Sequence, residues 1–323
     1  MTSTAADHPG FLHELVLYRS PAQLLEFVVP FAQEGVAAGE PTLLLVRPET
    51  ATAVLDRVGR SPHLTLLPAL GQPGRATSDL RATDALLADY AAGPPVRILN
   101  QEPSVPEACW HDWRRLEAGV NIAFGRYHAW AVCVYDRRLL SAEMVDDLYA
   151  THPRLGQGHT HRRNYRYQDP FDFLSTHIDT PPDPIEQSSP AAELLDPTPA
   201  TARAAVAGFA IHSQLPAPEV EHAVFAAHEA VSNAMQHGRP PVVLRLWAQP
   251  GRLTTTVTDN GPGPTDPLLG LLPPEPPRHS GLGLWLSHQL VDVAHRRHPA
   301  GYTIRITATH PARALTPSPR EAQ

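Results

Sequence analysis

The chain has 323 residues, 42% of them hydrophobic, which is enough for two domains with separate cores. Its net charge of −7 argues against direct binding to nucleic acid, whose phosphates attract basic surfaces. Two cysteines are too few for a disulfide framework and suit a reducing compartment. No signal-peptide pattern and no apolar run of about 20 residues is found, so we expect a cytoplasmic protein without a membrane partner.

Residues 1–175 alternate between strand-like and helix-like runs and are expected to form the first domain. The predicted strands are Leu12–Tyr18, Thr42–Val46, Leu64–Leu67, Val96–Leu99 and Ala129–Tyr135. The predicted helices cover about 21–38, 49–58, 78–92, 106–123 and 141–150. Short apolar strands separated by helices predict an α/β domain with a doubly wound, mostly parallel sheet. The sequence contains no Gly-x-x-x-x-Gly-Lys phosphate loop.

Three short strings stand out in this part: the strand from His13 to Tyr18, the segment from Phe31 to Gly39-Glu-Pro, and Cys133-Val-Tyr-Asp136. Together they resemble the MEDS sensory domain, a RecA/KaiC-like fold that lacks the ATP loop. The resemblance implies a sensor of an unidentified small ligand. His13, Tyr18 and Tyr135 could line its pocket at the strand ends, where open α/β sheets bind ligands; half-buried strand residues are the plainer interpretation.

A histidine-rich stretch follows the first domain's last predicted helix. His152, His159 and His161 invite a metal-site interpretation, but their spacing fits no standard zinc pattern. Three arginines come directly after them, so a solvated basic loop is the favoured interpretation.

Prolines mark the domain junction. The chain has 36 of them, and their density between Thr180 and Pro199 predicts an extended linker over residues 176–200. We expect a second domain over residues 201–310 and a tail over residues 311–323.

The first polar cluster of the second domain lies on a predicted helix. Apolar residues from Val220 to His237 recur at helical spacing, and Glu229 and Asn233 are four apart, so they share one face. An amide oxygen suits Mg²⁺, and a carboxylate one turn away could accept a proton from a hydroxyl that attacks a phosphate. A solvated helix face with two ordinary polar residues is the alternative.

Two glycine-rich clusters follow. The β-rich run Arg252–Thr258 ends at Asp259, whose carboxylate could accept a hydrogen bond from the amino group of adenine. Gly261 and Gly263 would allow the backbone to turn there. Gly281-Leu-Gly-Leu284 opens an apolar helix, whose free N–H groups would favour phosphate. Taken singly, an ordinary turn and a hinge would also explain these two clusters.

Together the three clusters resemble the GHKL (Bergerat-type) ATPase superfamily, most closely its anti-sigma-factor serine-kinase branch. The resemblance implies an α/β two-layer sandwich with a mixed sheet, and ATP with Mg²⁺ as ligands. It implies that Glu229 is the general base, that Asn233 holds Mg²⁺, and that Asp259 binds adenine with support from the hydroxyl of Thr303. The implied ATP-binding set is Asn233, His237, Asp259, Gly261, Gly263, Gly281, Leu282, Gly283, Leu284 and Thr303.

The segment between the glycine clusters departs from an ordinary kinase lid. Pro264–His279 contains six prolines, the chain has no lysine, and Arg278 and His279 are the cations of this segment. Fast phosphotransfer is therefore less well supported by the sequence than nucleotide binding is.

These resemblances imply a partner-switching regulator of transcription: an ATP-dependent serine/threonine kinase of the anti-sigma type with an N-terminal sensor. Its implied partners are a sigma factor, a STAS-type anti-anti-sigma antagonist, or both; a homodimer is also compatible with the sequence. The alternative is a non-catalytic, ATP-gated binding module that sequesters one of these partners. A sensor histidine kinase comes third, because no dimerising hairpin with a phosphoacceptor histidine precedes the ATPase-like region.

Overall fold

The computed structural model describes residues 10–68, 76–274 and 281–310. The chain divides after Ser175 into two compact units, Met1–Ser175 and Thr176–Gln323. Within the described ranges, none of the helices has the length and apolar character needed to cross a membrane. The expected tail, residues 311–323, lies outside these ranges.

The first unit is a seven-stranded sheet with helices. Its strands are β1 (Phe11–Tyr18), β2 (Thr42–Val46), β3 (Leu64–Pro68), β4 (Val96–Gln101), β5 (Ala129–Asp136), β6 (Arg154–Gln157) and β7 (Thr160–Arg163). Its helices are α1 (Pro21–Ala38), α2 (Pro48–Val58), α3 (Ala76–Ala88), α4 (Trp110–Ala123), α5 (Ala142–Thr151) and α6 (Pro170–Thr176), whose last residue belongs to the second unit. The order is β3-β2-β4-β5-β1-β6-β7, and only β6 and β7 pair antiparallel. The predicted doubly wound, mostly parallel sheet is confirmed.

Strand alternation divides the first sheet into two different faces. On one face, Val16 and Tyr18 of β1 and Val132 of β5 join an apolar cluster with Phe27 and Phe31 of α1. Successive strand side chains point to opposite faces, so His13, Cys133 and Tyr135 point to the other side. That second face carries the polar groups described below.

The second unit is a five-stranded sheet with three helices. Its strands are β8 (Ala192–Leu195), β9 (Val243–Gln249), β10 (Arg252–Asp259), β11 (Asp292–His298) and β12 (Gly301–Thr309). Its helices are α7 (Pro199–Ala210), α8 (Ala217–His237) and α9 (Leu282–Leu290). The order is β11-β12-β10-β9-β8, and all four pairings are antiparallel.

The expected mixed sheet is therefore wrong for the second unit, although the α/β sandwich is confirmed. Only two residues separate β9 from β10 and two separate β11 from β12. Connections this short permit hairpins alone, because parallel neighbours need a long crossover. The core lies between the sheet and the helices, where small residues of α8 such as Ala227 and Val231 pack with Leu244, Val257 and Ile304.

The expected linker over residues 176–200 is part of the second unit. Glu186 accepts hydrogen bonds from Arg296 (2.7 Å) and Arg305 (3.3 Å), and Asp183 pairs with Arg252. Strand β8 then adds an edge to the sheet by pairing with β9. The prediction of a linker from the density of prolines was wrong, because an extended segment at a sheet edge tolerates proline as well as a free linker does.

Candidate functional site

Helix α8 presents three of the candidate site residues on one face. Glu229, Asn233 and His237 are spaced by four residues, so they lie one turn apart along the helix. The adjoining, alanine-rich face of the helix is buried against the sheet, which fixes the helix and holds this polar row beside the buried face. Neither atom of the Asn233 amide has a hydrogen-bond partner among the described residues.

Asn233 and His237 face a cavity of about 350 Å³ in the second unit. The cavity lies between α8, the ends of β10 and β12, the loop after β10 and the start of α9. Six of the predicted site residues line it, namely Asn233, His237, Asp259, Gly263, Gly281 and Leu284. Glu229, Gly261, Leu282, Gly283 and Thr303 are not part of its lining.

Asp259 lies at the end of β10 with one oxygen fixed and the other free. Its Oδ1 accepts hydrogen bonds from the backbone N–H groups of Arg239 (3.1 Å) and Gly261 (2.6 Å). Its Oδ2 has no hydrogen-bond partner among the described residues. The side chain is 5% exposed and lines the cavity, so Oδ2 is a fixed acceptor for a ligand that carries a buried donor.

Glycines around Asp259 are required by close packing. A Cβ added to Gly238 would overlap the Asp259 carboxyl group, and one added to Gly301 would overlap its backbone carbonyl. Gly263 has φ +74°, and a Cβ there would lie 2.5 Å from the ring of Tyr302. Larger residues would push Asp259 or Tyr302 out of place, so these glycines shape the cavity.

Thr303 does not support Asp259, contrary to the expectation from the resemblance. Its hydroxyl hydrogen-bonds with Thr258 (2.9 Å) and His298 (3.1 Å) on the face of the sheet away from the cavity. The cavity face of β12 is occupied by Tyr302 and Ile304 instead. Residues 302 and 303 are neighbours on a strand, so only one of them can face the cavity.

The second glycine cluster contacts the proposed base. Gly281 has φ +94° and precedes α9, and no side chain caps this helix start. Gly283, in the first turn of α9, lies against Glu229, because a Cβ at this position would overlap Glu229 Oε2. Leu282 is exposed. The glycines therefore bring α9 close to α8 at the cavity mouth, and uncapped N–H groups there suit an anion.

The loop after β10 is described as far as Pro274, and residues 275–280, including Arg278 and His279, lie outside the described ranges. Thr265, Asp266 and Leu269 of this loop line the cavity. Gly270 lies against the ring of His288 on α9, which anchors the loop to that helix.

A buried chain of rings adjoins the cavity and was missed by the sequence analysis. The Tyr302 hydroxyl hydrogen-bonds with His295 Nδ1, and His295 Nε2 is 2.8 Å from His288 Nε2. Each of the three side chains is at most 9% exposed. The chain links the wall of the cavity to the helix that anchors the loop, and no spacing rule connects residues on β12, β11 and α9 in the sequence.

The three candidate sensory residues of the first unit do not share a pocket. His13 lines a cavity of about 70 Å³ together with Glu117 and Cys133. Tyr135 does not line it but donates to Glu117 Oε1. Tyr18 belongs to the apolar cluster on the opposite face of the sheet. Because His13 and Tyr18 are five residues apart on one strand, they must face opposite ways, so the expectation for Tyr18 was wrong.

Burial shifts several pKa values around the first unit's cavity towards the uncharged forms. Burial, aided by His152, lowers the pKa of His13 well below its ordinary value. Burial and the neighbouring Glu117 raise the pKa values of Glu102, Cys133 and Tyr135 well above theirs. Desolvation dominates each shift, as expected for groups enclosed by an apolar core.

The histidine-rich stretch is not one solvated loop. His152 is fully buried beside His13, with ring centroids 4.0 Å apart. His161 lies in strand β7 and contacts Glu14 at 2.9 Å. His159 is exposed, as expected for a loop. The buried cluster was missed because its members lie far apart in the chain and meet only through the fold.

Comparisons with known proteins agree with this division. Residues 12–153 match the family described as MEDS, the methanogen/methylotroph DcmR sensory domain, and residues 194–308 match the histidine kinase-like ATPase domain. Among curated proteins, none matches the chain. A solved histidine kinase domain from the Erythrobacter litoralis EL346 blue-light activated histidine kinase is 14% identical and covers 73% of this chain and 95% of that one.

The TM-score of that comparison is 0.24, so it supports no conclusion about activity. The second family implies that ATP binds in the second unit, usually with Mg²⁺. The family models thus find a MEDS domain at residues 12–153 and a histidine kinase-like ATPase domain at residues 194–308.

Proposed function

We propose that this protein is a partner-switching regulator whose second unit binds Mg-ATP and phosphorylates a serine or threonine on a protein antagonist of a sigma factor. The proposal rests on one observation, that Asp259 and Asn233 line the same cavity with polar atoms free for a ligand. Asp259 is fixed through Oδ1, and neither its Oδ2 nor the Asn233 amide has a hydrogen-bond partner among the described residues. In this proposal the first unit senses a small ligand.

A nucleotide fits the chemistry of this cavity. Its volume of about 350 Å³ lies in the range of small-molecule sites, about 300–1,000 Å³. The amino group of adenine is a donor that matches Asp259 Oδ2. Apolar Val257, Leu284 and Ile304 in the lining suit the faces of a base, while the uncapped start of α9 suits phosphate.

Asn233 is the residue that would hold Mg²⁺. Its free amide oxygen fits, because Mg²⁺ at nucleotide sites takes few protein ligands and keeps water and phosphate oxygens. The ion would offset negative charge on the phosphates.

Glu229 acts as the base in this proposal. It lies one helical turn before Asn233, and its side chain is 26% exposed, so a hydroxyl of a partner protein can reach it. A carboxylate oxygen accepts the proton from that hydroxyl, the hydroxyl oxygen bonds to the γ-phosphorus, and the bond to ADP breaks. Gly283 positions the carboxylate by leaving room for it.

The second candidate is a non-catalytic, ATP-gated module that sequesters a sigma factor or its antagonist. Among the described residues that line the cavity, His237 alone can carry a positive charge, and the chain has no lysine. Phosphoryl transfer benefits from cations that stabilise the transferred group, so this feature favours binding without turnover.

The test is capture of partners from native lysate by the tagged full chain with Mg-ATP, followed by mass spectrometry of partners and phosphosites. We expect a small antagonist with a new phosphoserine or phosphothreonine that is lost with Glu229→Ala. Glu221→Ala, an exposed glutamate on the same helix, is the matched control and should leave the phosphosite unchanged. Retention of a partner without any phosphosite would favour the second candidate, and absence of both partners would contradict partner switching.

A further inference from the structure

A cluster of four potential metal donors lies at the centre of the first unit. His13 is on β1, Cys133 on β5 and Glu117 on α4, and His152 directly follows α5. One donor atom from each lies within 4.8 Å of the other three. Both histidines and Glu117 are at most 1% exposed. The four residues are thus brought together by four separate elements of a rigid core.

Three of the six distances between the donor atoms match the edges of a tetrahedral metal site. His13 Nε2 is 3.4 Å from Cys133 Sγ and 3.5 Å from Glu117 Oε2, and His152 Nε2 is 3.3 Å from the same Oε2. Ligands bonded to zinc at about 2.0–2.3 Å in a tetrahedron lie about 3.3–3.8 Å from one another. These three contacts therefore have the length of tetrahedron edges.

The protonation of His152 leaves a lone pair that faces the carboxylate. Its Nδ1 is 2.8 Å from the Leu148 carbonyl, which can only accept, so Nδ1 carries the proton. In the neutral ring, Nε2 is then an acceptor aimed at Glu117 Oε2, and neither of these buried atoms makes a hydrogen bond. Two acceptors at this distance repel one another, and a cation between them would remove the conflict.

Outer contacts orient two of the four donors, His152 and Glu117, as they do around bound metals. The Leu148 carbonyl fixes the tautomer of His152, and Tyr135 donates to Glu117 Oε1, leaving Oε2 as the available oxygen. Trp113 in turn donates to the Tyr135 hydroxyl at 2.6 Å. Metal-ligating histidines and carboxylates almost always have such partners.

We propose that His13 Nε2, His152 Nε2, Glu117 Oε2 and Cys133 Sγ form a buried site for a divalent transition metal, of which Zn²⁺ fits best. Two nitrogens, one sulfur and one carboxylate oxygen in a tetrahedron suit zinc, whereas magnesium and calcium prefer oxygen donors. His13, Glu117 and Cys133 also line the cavity of about 70 Å³, so a small molecule there would lie next to the metal.

The test is the metal content of the full chain, purified without a metal-binding tag from zinc-supplemented cells. We expect about one equivalent of zinc per chain and a loss of at least fivefold in Cys133→Ser and in His152→Gln. The matched controls are Cys109→Ser and His159→Gln, which replace the same residue types outside the cluster and should retain the metal.

Two spectroscopic measurements on the wild-type protein test the site even if the variants fail to fold. Wild-type protein loaded with Co²⁺ should show a thiolate-to-cobalt charge-transfer band, and X-ray absorption of the zinc form should show one sulfur at about 2.3 Å among nitrogen and oxygen ligands. Absence of metal from the wild type with no zinc uptake against a chromophoric chelator would overturn the proposal and indicate a metal-free ion pair of His152 with Glu117. Full retention of zinc by both cluster variants would overturn it as well.

Discussion

Asp259 combines a contact that holds the fold with a second oxygen that is open to the cavity. Two backbone N–H groups fix its Oδ1, which leaves Oδ2 as the acceptor in the cavity. An asparagine would have to place its NH₂ group against the backbone donors or against the ligand. Of aspartate and asparagine, the acidic and amide side chains of this length, only aspartate can therefore accept hydrogen bonds both from the backbone donors and from a ligand.

We predict that Asp259→Asn weakens ATP binding by about 10- to 100-fold, which corresponds to about 1.4–2.8 kcal/mol. Isothermal titration calorimetry with the full chain measures this change. Thr303→Val is the control, because Thr303 lies on the other face of the sheet and should leave the affinity within about twofold. If Asp259→Asn and the wild type bound ATP with equal affinity, Asp259 would not be part of the ATP-binding site.

Gly283 offers a way to move the proposed base without replacing it. A Cβ at this position would overlap the end of the flexible Glu229 side chain, which can swing away. We therefore predict that Gly283→Ala lowers phosphotransfer by at least about tenfold while the chain stays folded, since alanine favours a helix. Phosphorylation of the captured antagonist provides the rate, and circular dichroism monitors folding.

Gly208→Ala in α7 is the matched control for that substitution. Apart from its chain neighbours and the backbone of its own helix, no atom lies within 4 Å of a Cβ at Gly208, so this variant should keep full activity and gain about 0.5–1 kcal/mol of stability. Undiminished phosphotransfer in Gly283→Ala would contradict the role of Glu229 as base.

Single residues were predictable where a motif fixed them and not where contacts are long-range. Asn233 and Asp259 were found because each belongs to a short pattern, and the fold brings both to one cavity. Tyr18 and Thr303 lie away from the predicted sites, because side chains alternate along a strand and both residues fall on the other face of their sheets. His13 and His152 are 139 positions apart, and the parallel pairing of β1 with β6, which begins two residues after His152, brings them together.

At the scale of elements, the proline-rich segment before β8 is held to the second sheet by ion pairs. Burial raises the pKa of Glu186, but hydrogen bonds from Arg296 and from the Asp183 backbone outweigh it and leave this pKa below its ordinary value. Because the pKa of Glu186 is lower in the folded state, its carboxylate stabilises the fold at pH values above the unfolded-state pKa of about 4.3. This stabilisation is lost as the pH falls through the folded-state pKa.

We predict that Glu186→Gln destabilises the second unit by about 1.5 kcal/mol at pH 7 and by clearly less at pH 3. Chemical denaturation at the two pH values gives both differences. Glu193→Gln is the control, because Glu193 pairs with Arg245 at an exposed position where ion pairs contribute little. A difference that stays constant between the two pH values would exclude the ionic contribution of Glu186.

The regular elements were predicted more accurately than the irregular ones. All five predicted strands of the first unit lie within the observed β1 to β5, since buried parallel strands are continuous apolar runs. Strands β6, β7 and β8 are four residues each and were missed. Short edge strands carry little periodicity, so their pairing is decided by the sheet that they join.

At the scale of the whole molecule, the boundary between the units has a direct test. We predict that the fragment 176–323 binds ATP within about twofold of the full chain. The fragment 201–323 lacks β8 and the acidic residues Asp179, Asp183, Glu186 and Glu193, which pair with arginines of the sheet, so its melting temperature should be lower by on the order of 10 °C. Differential scanning calorimetry compares the two fragments. Equal melting temperatures would mean that residues 176–200 are a linker after all.

We propose that the cavity between α8, β10 and α9 is an adenine-nucleotide site. Calorimetric titration of the full chain with ATP and with GTP, both with Mg²⁺, distinguishes such a site from an unspecific anion site. Adenine presents a donor where guanine presents an acceptor, and Asp259 Oδ2 can only accept. We predict that ATP binds at least about tenfold more tightly than GTP. Equal affinities for the two nucleotides, or no heat from either, would contradict the claim.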